Sequence, residues 1–252
     1  MPEMIVSWSG GKDSSATLLL ADKLGVKVDK AIFTEIMFDN TRGISAEQPD
    51  HIAWMYDYAI PKVKSMGVDV IVLRSDKDFV SWYKQTVRKS KVEQRNGKMH
   101  GFPLQGKCGV SSELKLKPLD KYKRQYKDAV WLLGIAADEP ERVARIKPPN
   151  RSLLAEQGVT EQEAYAMCKK EGLLSPVYDL IGHGGNCWFC PNGNVRQFAI
   201  LKRFHPELWE EFCNLPVDNL ISSNFGFQGP IEEFKRRVEE YKLMFPRYLL
   251  KR

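Results

Sequence analysis

The sequence predicts an α/β protein: a parallel sheet of five or six strands with helices on both faces, followed by a mostly helical, cysteine-bearing C-terminal part. Three observations lead to this prediction. Short apolar runs alternate with longer amphipathic runs in the first half of the chain, a glycine-rich turn follows the first apolar run, and helical spacing dominates the second half. Strands that alternate with helices at this spacing are typical of parallel sheets.

Four runs rich in Val, Ile, Leu and aromatic residues are predicted to be buried strands. They are Met4 to Trp8, Ala31 to Phe38, Val68 to Leu73 and Ala129 to Ile135. Three segments between them carry the three-and-four spacing of amphipathic helices: Ser14 to Leu24, about Pro49 to Met66, and Asp76 to Lys89. From Lys84 to Ser112 repeated Gly and Pro predict a helix end that runs into a long loop, and such loops are often functional.

The segment Lys147-Pro148-Pro149-Asn150 predicts a boundary between a first region, residues 1–146, and a second region, residues 147–252. Four helices are predicted beyond this boundary: Thr160 to Glu171, Asn194 to Phe204, Pro206 to Cys213 and Pro230 to Phe245. The first of them opens on the capping signature Thr-x-x-Glu, in which side chain and backbone groups at the helix start satisfy each other.

The composition is that of a globular protein that is not embedded in a membrane. Of the 252 residues 43% are hydrophobic and 28% are charged, and no apolar run approaches the roughly 20 residues of a membrane span. The start of the chain lacks a cationic segment followed by an apolar one, so we expect a cytoplasmic protein in a reducing compartment. In that compartment cysteines are more often metal ligands or redox groups than disulfide partners.

Positive charge is concentrated in one region. Between Lys84 and Lys127 there are 13 Lys and Arg against three acidic residues, whereas the formal net charge of the whole chain is +6. A polyanionic partner would bind such a region, although a solvated basic surface without a partner has the same composition.

The stretch Ser9-Gly10-Gly11-Lys12-Asp13-Ser14 joins the first predicted strand, which ends near Ser7, to a predicted helix. A glycine-rich loop in this position presents backbone N–H groups and the positive end of a helix dipole, which together bind anions. Lys12 adds a charge, and Asp13 would orient that lysine, bind Mg²⁺ or cap the helix. A glycine turn without a ligand is the alternative interpretation.

Two further strand ends carry candidate residues. After the strand Ala129 to Ile135 the chain has acids and arginines, and we expect Glu139 and Arg142 to face the same crevice as the loop. Arginine there would grip phosphate or sulfate, although Glu139 and Arg142 could equally form a local surface pair. Asp39 and Asn40, after the second strand, are candidates for the same crevice, or ordinary strand-end residues.

These motifs resemble a known superfamily. The loop Ser9 to Ser14 resembles the pyrophosphate loop, or PP-loop, of the adenine nucleotide alpha hydrolase superfamily. The run with Gly134, Ile135, Glu139 and Arg142 resembles the G-I-x-x-x-E-x-x-R element of relatives of phosphoadenosine phosphosulfate (PAPS) reductases, and with the cysteine-bearing segments the resemblance spans most of residues 5 to 200.

The resemblance implies a fold, ligands and site residues. It implies an adenine nucleotide alpha hydrolase-like sheet that binds ATP, or a nucleotide of the PAPS or APS type, together with Mg²⁺. The implied nucleotide-binding residues are Ser7, Ser9, Gly10, Gly11, Lys12, Asp13, Ser14, Asp39, Gly134, Glu139 and Arg142. Among them, Lys12, Asp13 and Arg142 are implied to be catalytic.

Four cysteines are candidate metal ligands: Cys108, Cys168, Cys187 and Cys190. A Cys-x-x-Cys turn directs two thiolates at one metal ion, and two distant thiolates complete a tetrahedral set. By resemblance we expect a [4Fe-4S] cluster, with structural zinc or redox thiols as the alternatives. Cys213, on an apolar helix, is predicted to be a core residue.

These expectations combine into one functional hypothesis. An adenylating enzyme would cleave ATP between its alpha and beta phosphates and support sulfur transfer from a donor protein to tRNA or DNA bound on residues 84–127. A sulfonucleotide reductase and a non-catalytic binding protein are the alternatives. PAPS reductases use a cysteine near the C-terminus, whereas this sequence has none after Cys213, which favours the first hypothesis.

Overall fold

The computed structural model describes residues 2–103 and 108–243, and within them a four-stranded parallel sheet forms the centre of the protein. The described strands are β1 (Met4–Ser7), β2 (Lys30–Thr34), β3 (Met37–Asp39), β4 (Ile44–Ser45), β5 (Asp69–Leu73) and β6 (Val130–Leu132). The order across the sheet is β5-β2-β1-β6, and all three pairings are parallel. The predicted parallel α/β class is therefore confirmed.

The number of strands is smaller than predicted. The described residues form four strands in the sheet instead of five or six, and the predicted strand Ala31 to Phe38 divides after Thr34. Beyond that point the chain folds back on itself, because Ala46 N–H donates to the Ile36 carbonyl and β3 pairs antiparallel with β4. The end of this apolar run therefore packs as a separate hairpin beside the sheet.

The helices surround the sheet and form most of the second half of the chain. The described helices are α1 (Lys12–Lys23), α2 (Pro49–Trp54), α3 (Ile60–Ser65), α4 (Phe79–Lys84), α5 (Lys117–Lys123), α6 (Pro140–Val143), α7 (Leu153–Glu156), α8 (Glu161–Lys170), α9 (Val177–Ile181), α10 (Val195–Phe204), α11 (Pro206–Cys213) and α12 (Ile231–Glu240). Single π-helical segments link α2 to α3 and precede α5, at Met55–Ala59 and Ser111–Leu116. None of the described helices is both long enough and apolar enough to cross a lipid bilayer.

Helix ends follow the local chemistry of the sequence. The capping box predicted for α8 is present: Thr160 Oγ accepts the Glu163 N–H at 3.3 Å, and the Glu163 carboxylate accepts the Thr160 N–H at 2.8 Å. The helix predicted to reach Lys89 ends at Lys84, because the chain there turns into an extended arm. The last helix is described to Glu240, and the predicted end at Phe245 lies outside the described residues.

Successive residues of each strand pack into different cores, as the two-residue period of a strand requires. Val6 and Phe33 face the core formed with α1, α3, α7 and α8, whereas Ile5 and Ile32 face the core formed with α5. Helices therefore cover both faces of the sheet, as the sequence predicts.

A second large core lies outside the sheet and is rich in aromatic side chains. It joins the β3–β4 hairpin and α4 to α10, α11 and α12, and Phe79 stacks on Phe189 with ring centroids 3.8 Å apart. Both this aromatic core and the core around α1 contain residues from each side of residue 146. The domain boundary at that point stays a prediction.

Candidate functional site

The loop between β1 and α1 is held in shape by its own side chains. Ser9 N–H donates to Ser14 Oγ at 3.1 Å, and Ser14 Oγ donates to the Gly11 carbonyl at 3.1 Å. Gly10 has φ of +72°, and a Cβ at this position would lie 2.4 Å from Met55 Sδ, so a side chain is excluded by both conformation and space. These six residues therefore form a compact turn, which leads into α1 and places backbone N–H groups at the start of that helix.

Lys12 lies among carboxylates. Its ammonium is 2.9 Å from Asp13 and 3.0 Å from Glu161. Burial acts to lower the pKa of Lys12, but the hydrogen bonds to these two carboxylates outweigh it and raise the pKa above its usual value, so the lysine is charged. Burial raises the pKa of Asp13, and the hydrogen bond from Lys12 opposes this shift only in part.

The loop opens onto a crevice at the carboxyl edge of the sheet. Because β1 has β2 on one side and β6 on the other, the strand order reverses between β1 and β6, which is where open parallel sheets bind ligands. A cavity of about 420 Å³ lies there. Its lining residues are Ser7, Ser9, Gly11, Asp13, Ser14, Leu133, Gly134, Ile135 and Arg142.

Gly134 lets the β6 strand end approach the loop closely. A Cβ on Gly134 would lie 2.6 Å from the Ser14 nitrogen and 2.8 Å from the Asp13 carbonyl carbon, both of them backbone atoms. Since backbone cannot move aside as a flexible side chain can, only glycine fits here. The two sequence motifs therefore meet at one point of the fold.

Arg142 lies on the other wall of the crevice and is half-exposed. Its side chain forms an ion pair with Glu139 at the start of α6, and a Glu139 oxygen also accepts the Ala136 N–H at 3.1 Å. Among the described residues Glu139 does not line the cavity itself, so of the two predicted residues only Arg142 faces it.

Asp39 has a different environment. Its carboxylate accepts hydrogen bonds from Arg42, which also pairs with Glu211 of α11, and the Arg42 hydrogen bond holds the pKa of Asp39 below its usual value. Among the described residues Asp39 does not line the crevice. It joins the hairpin to the helical part of the protein.

The back of the loop is held by residues that the sequence motifs did not indicate. His51 lies between the Ser9 carbonyl, 3.1 Å from Nε2, and Ser175 Oγ, 2.9 Å from Nδ1. Because a carbonyl only accepts, Nε2 carries the proton and Nδ1 accepts from Ser175. Burial lowers the pKa of His51, which keeps this neutral form. Tyr178 Oη accepts the Lys12 N–H at 3.0 Å.

A second cavity, of about 330 Å³, lies on this side of the loop; we call it the rear chamber. Its lining residues are Ser9, Gly10, Gly11, Lys12, Asp13, Glu47, His51, Lys115, Ser175, Tyr178, Gly184 and Gly185. Glu47 is 93% buried and Lys115 is half-buried, so a carboxylate and an ammonium group line the same small polar space. No short motif of the sequence connects these residues, since they come from five separate segments.

Three of the four candidate metal-binding cysteines lie near one another. Burial raises the pKa of Cys187 well above the usual thiol value, with further contributions from Glu47, Cys190 and Cys108, and burial likewise raises the pKa of Cys190. Cys187 is also paired with Glu47 through a backbone bridge, which puts the cysteine turn next to the rear chamber.

Cys168 lies apart from these three cysteines. It is fully buried in the core around α1, its thiol donates to the Lys12 carbonyl at 3.1 Å, and burial raises its pKa to about 12. The structure thus divides the predicted four-cysteine set between two cores. Thiolates have the right chemistry for iron–sulfur or zinc, but no group of three or more His, Cys, Asp or Glu in the described part of the chain is arranged to hold a metal ion. We therefore derive no reaction step through a metal.

Cys213 is predicted to be a core residue, and the structure confirms this only in part. It lies at the end of α11, half-buried against the aromatic core, and burial raises its pKa.

The fold and the loop together define an α/β protein of the PP-loop type. The sequence profile of the phosphoadenosine phosphosulfate reductase domain matches residues 3–158, which include the sheet, the loop and the Gly134 to Arg142 element. The chain belongs to this family, and the resemblance stated from its motifs is confirmed.

One solved structure that matches this chain is that of the U34-tRNA thiolase NcsA from Methanococcus maripaludis with its [4Fe-4S] cluster. The TM-score is 0.42 and the sequence identity is 14%, and the match covers 96% of this chain and 73% of that chain. No curated protein matches the sequence.

Proposed function

We propose that this protein is an adenylating enzyme, which binds ATP or a related adenine nucleotide, cleaves it between the alpha and beta phosphates, and thereby supports sulfur transfer to an anionic acceptor. One observation carries the proposal: the pyrophosphate loop separates two polar cavities that share Ser9, Gly11 and Asp13 in their walls. A nucleotide in the crevice and a second reactant in the rear chamber would meet at this loop.

The crevice suits the phosphates of a nucleotide. The N-terminus of α1, the Ser9 and Ser14 hydroxyl groups and the Arg142 guanidinium line the crevice and supply donors to anionic oxygens. Lys12, on the same loop, adds positive charge from the wall of the rear chamber. Asp13 also experiences the negative charges of Glu139 and Glu161, and this concentration of carboxylates would repel phosphate unless a cation offset it. Mg²⁺ would supply that charge, with carboxylate oxygens as its preferred protein ligands.

The proposed reaction needs a nucleophile on the far side of the alpha phosphate from the leaving group. An acceptor oxygen forms a bond to the alpha phosphorus, the bond from that phosphorus to the bridging oxygen breaks, and pyrophosphate leaves with the electron pair. Where the acceptor oxygen carries a proton, the buried Glu47 carboxylate of the rear chamber can take it, and Lys115 of the same chamber offsets negative charge there. The adenylated acceptor then carries AMP as a good leaving group for sulfur.

For the metal we propose a smaller ligand set than the four cysteines, namely Cys108, Cys187 and Cys190, whose side chains must turn towards one another to bind it, since the described residues do not hold a metal-binding arrangement. Cys108 and Cys190 both contribute to the raised pKa of Cys187, and the cysteine turn lies beside the rear chamber, which supports this choice. Iron together with acid-labile sulfide in anaerobically purified protein would support a [4Fe-4S] cluster. Zinc at one equivalent per chain without sulfide would instead identify a structural site.

Pyrophosphate release is the direct test of the proposed function. The full chain is incubated with ATP, Mg²⁺ and bulk transfer RNA or duplex DNA, and pyrophosphate, free AMP and AMP attached to the nucleic acid are measured. Without a sulfur donor the AMP stays on the acceptor, so we expect one pyrophosphate for each AMP, counted free and attached together. The Lys12→Ala variant should bind ATP about 10- to 100-fold more weakly, because a charged hydrogen bond to phosphate contributes about 1.5–3 kcal/mol.

Lys23→Ala is the matched control, since Lys23 is an exposed lysine at the other end of α1. Equal ATP affinity in Lys12→Ala, Lys23→Ala and the unmodified protein would refute the loop assignment. Sulfite release from a sulfonucleotide, without pyrophosphate release from ATP, would identify a reductase. Nucleotide binding without turnover of either substrate would identify a non-catalytic binding protein.

A further inference from the structure

The long loop predicted after α4 is an ordered arm in this structure. We call residues 84–98 the basic arm; it folds as an irregular two-stranded ribbon in which Val87 N–H donates to the Lys98 carbonyl and Gly97 N–H donates to the Val87 carbonyl, both at 2.9 Å. At its tip, Ser90 N–H donates to Asn96 Oδ1 at 2.7 Å. The backbone groups of the arm are thus satisfied within the arm itself.

The rest of the protein holds the base of the arm in place. Met99 N–H donates to the Asn219 carbonyl and Ile221 N–H donates to the Met99 carbonyl, both at 2.9 Å, which adds a third segment beside the ribbon. Asn219 Nδ2 also donates to the Gly97 carbonyl at 3.0 Å. An arm anchored in this way presents its side chains in a fixed arrangement.

The side chains of the basic arm carry almost only positive charge. Six are cationic, namely Lys84, Arg88, Lys89, Lys91, Arg95 and Lys98, and one is acidic, Glu93. Within the described residues, no carboxylate lies within 4 Å of any of these six cations, and five of the six are exposed. By contrast, two of the three cations of α12 pair with carboxylates of the same helix: Lys235 with Glu232 at 2.9 Å and Arg236 with Glu240 at 3.0 Å.

The second half of the basic region has a different setting. Lys117 pairs with Glu113 at 2.6 Å, and Lys123 lies over the Trp131 ring, 4.7 Å from its centroid. These residues belong to α5, which packs on the sheet. Residues 84–127 are therefore two surfaces instead of one. All six cations of the basic arm lack a carboxylate partner among the described residues, whereas in the second surface Lys117 and Lys123 have partners and Lys121, Arg124 and Lys127 are exposed without a carboxylate partner. Lys107, between the two surfaces, lies outside the described residues.

We propose that the basic arm binds duplex DNA through its phosphate backbone. A two-stranded ribbon fits the major groove of B-form DNA, whereas the major groove of A-form RNA is too deep and narrow for side chains to read. Unpaired Lys and Arg on such a ribbon replace the counterions of phosphates on both sides of the groove. Beside the ribbon, a cavity of about 600 Å³ is lined by Gln85, Thr86, Val87, Arg88, Lys89 and His100, which offers further donors to a phosphate.

This inference rests on the proposed function in one respect, since it identifies the anionic acceptor as duplex DNA instead of tRNA.

The test compares two triple variants of the full chain that lose the same charge. The arm variant carries Lys89→Gln, Lys91→Gln and Arg95→Gln, and the control carries Lys121→Gln, Arg124→Gln and Lys127→Gln. All six side chains are exposed, and the Glu113 and Trp131 contacts remain intact in both.

Affinity is measured by fluorescence anisotropy with a 24-base-pair duplex DNA and with bulk transfer RNA, across a series of salt concentrations. For the arm variant we expect duplex affinity to fall by about tenfold or more, and the slope of log affinity against log salt to decrease by about 2.7, because each lost phosphate contact removes about 0.9. The control variant should retain duplex affinity within about threefold and keep the slope, because its charges make no such contacts.

Three outcomes would overturn the proposal: absence of duplex binding by the unmodified protein, equal losses in the two variants, or tighter arm-dependent binding of transfer RNA than of duplex DNA. The anisotropy measurement contains neither ATP nor Mg²⁺, so its result is independent of nucleotide chemistry. A failure of ATP cleavage and a failure of DNA binding are therefore distinguishable.

Discussion

The nucleotide crevice and the cysteine turn are built in different ways. The crevice has at its centre six consecutive residues, Ser9 to Ser14, whose side chains and backbone bond to one another. The cysteine turn is formed by Cys187 and Cys190, and Cys108 approaches them from a segment almost 80 residues earlier in the chain. Local hydrogen bonds shape the first site, whereas long-range packing of an aromatic core shapes the second.

The aromatic core explains why the cysteine turn depends on distant residues. Trp188 and Phe189, between the two cysteines of the turn, are fully buried, and Trp188 packs on Phe38 of β3 with ring centroids 4.6 Å apart. Trp188 Nε1 also donates to the Ser45 carbonyl at 2.9 Å. The hairpin that interrupts the predicted long strand is therefore the platform of the cysteine turn.

Gly134→Ala should have the largest effect on the crevice. The new Cβ would lie 2.6 Å from the Ser14 nitrogen, so the loop or the β6 end must shift, and we expect loss of measurable ATP binding in calorimetry. Overpacking of this kind also lowers the free energy of unfolding by about 1–3 kcal/mol.

Gly185→Ala is the control for that variant, because its Cβ would make only ordinary contacts, the nearest 3.8 Å away, and its φ is not positive. It should bind ATP as the unmodified protein does. Unchanged ATP affinity in Gly134→Ala would mean that the close approach of the two motifs does not matter for the nucleotide.

The cysteines should separate into two groups by metal content. If the purified protein holds a metal on the proposed three-cysteine set, Cys190→Ala should lose it and Cys168→Ala should retain it, because Cys168 lies in the other core with its thiol on the Lys12 carbonyl. Cys168→Ala should instead lower the free energy of unfolding by about 1 kcal/mol through the small cavity it leaves. Elemental analysis and a sulfide assay measure the first effect, and denaturant unfolding the second. Equal metal loss in both variants would restore the four-cysteine set.

His51 should make the stability of the protein depend on pH below its usual pKa of 6.5. Because burial lowers the pKa in the folded protein, the unfolded chain binds a proton first as pH falls, and stability declines below pH 6.5 until the folded pKa is reached. The slope for one proton is at most about 1.4 kcal/mol per pH unit. Urea unfolding of the unmodified protein and of His51→Gln between pH 7.5 and 5.5 measures it. The same slope in both proteins would exclude His51 as its source.

Tyr178→Phe should have the smallest effect. It removes the hydroxyl that accepts the Lys12 N–H and should lower the free energy of unfolding by about 1 kcal/mol, the usual net contribution of one hydrogen bond. Tyr165→Phe is the control, because its ring packs edge-on against Tyr178 while its hydroxyl makes no hydrogen bond within the described residues. An equal loss in both variants would show that the hydrogen bond to the Lys12 N–H does not account for the effect.

Much of the fold could be predicted because its signals are local. The four sheet strands are continuous apolar runs, and helix starts such as Thr160 carry their own capping residues. The sequence predicts five or six strands in the sheet, and the described residues form four. The difference arises because an apolar run such as Ala31 to Phe38 has the same composition whether it continues in a sheet or folds back. Periodicity alone does not distinguish the two cases.

The sequence predicts the crevice side of the candidate site better than the rear chamber. The six-residue loop and the Gly134 to Arg142 element could be read directly, because glycine, lysine and carboxylate at short spacing reflect a local phosphate-binding geometry. His51 and Glu47 could not, since a lone His or Glu in an amphipathic segment has no neighbour in the sequence that reveals its role. The sequence predicts Asp39, at the end of a strand, as a candidate residue of the crevice. In the structure it pairs with Arg42 and, among the described residues, does not line the crevice.

By itself, the sequence determined the parallel α/β class, the pyrophosphate loop and the family, since each depends on residues close together in the chain. Only the tertiary structure decided which cysteines lie together, where the rear chamber opens, and which part of the basic region stands free as an arm. These depend on contacts between segments that are far apart in the chain, and such contacts are selected by packing and burial instead of by local spacing.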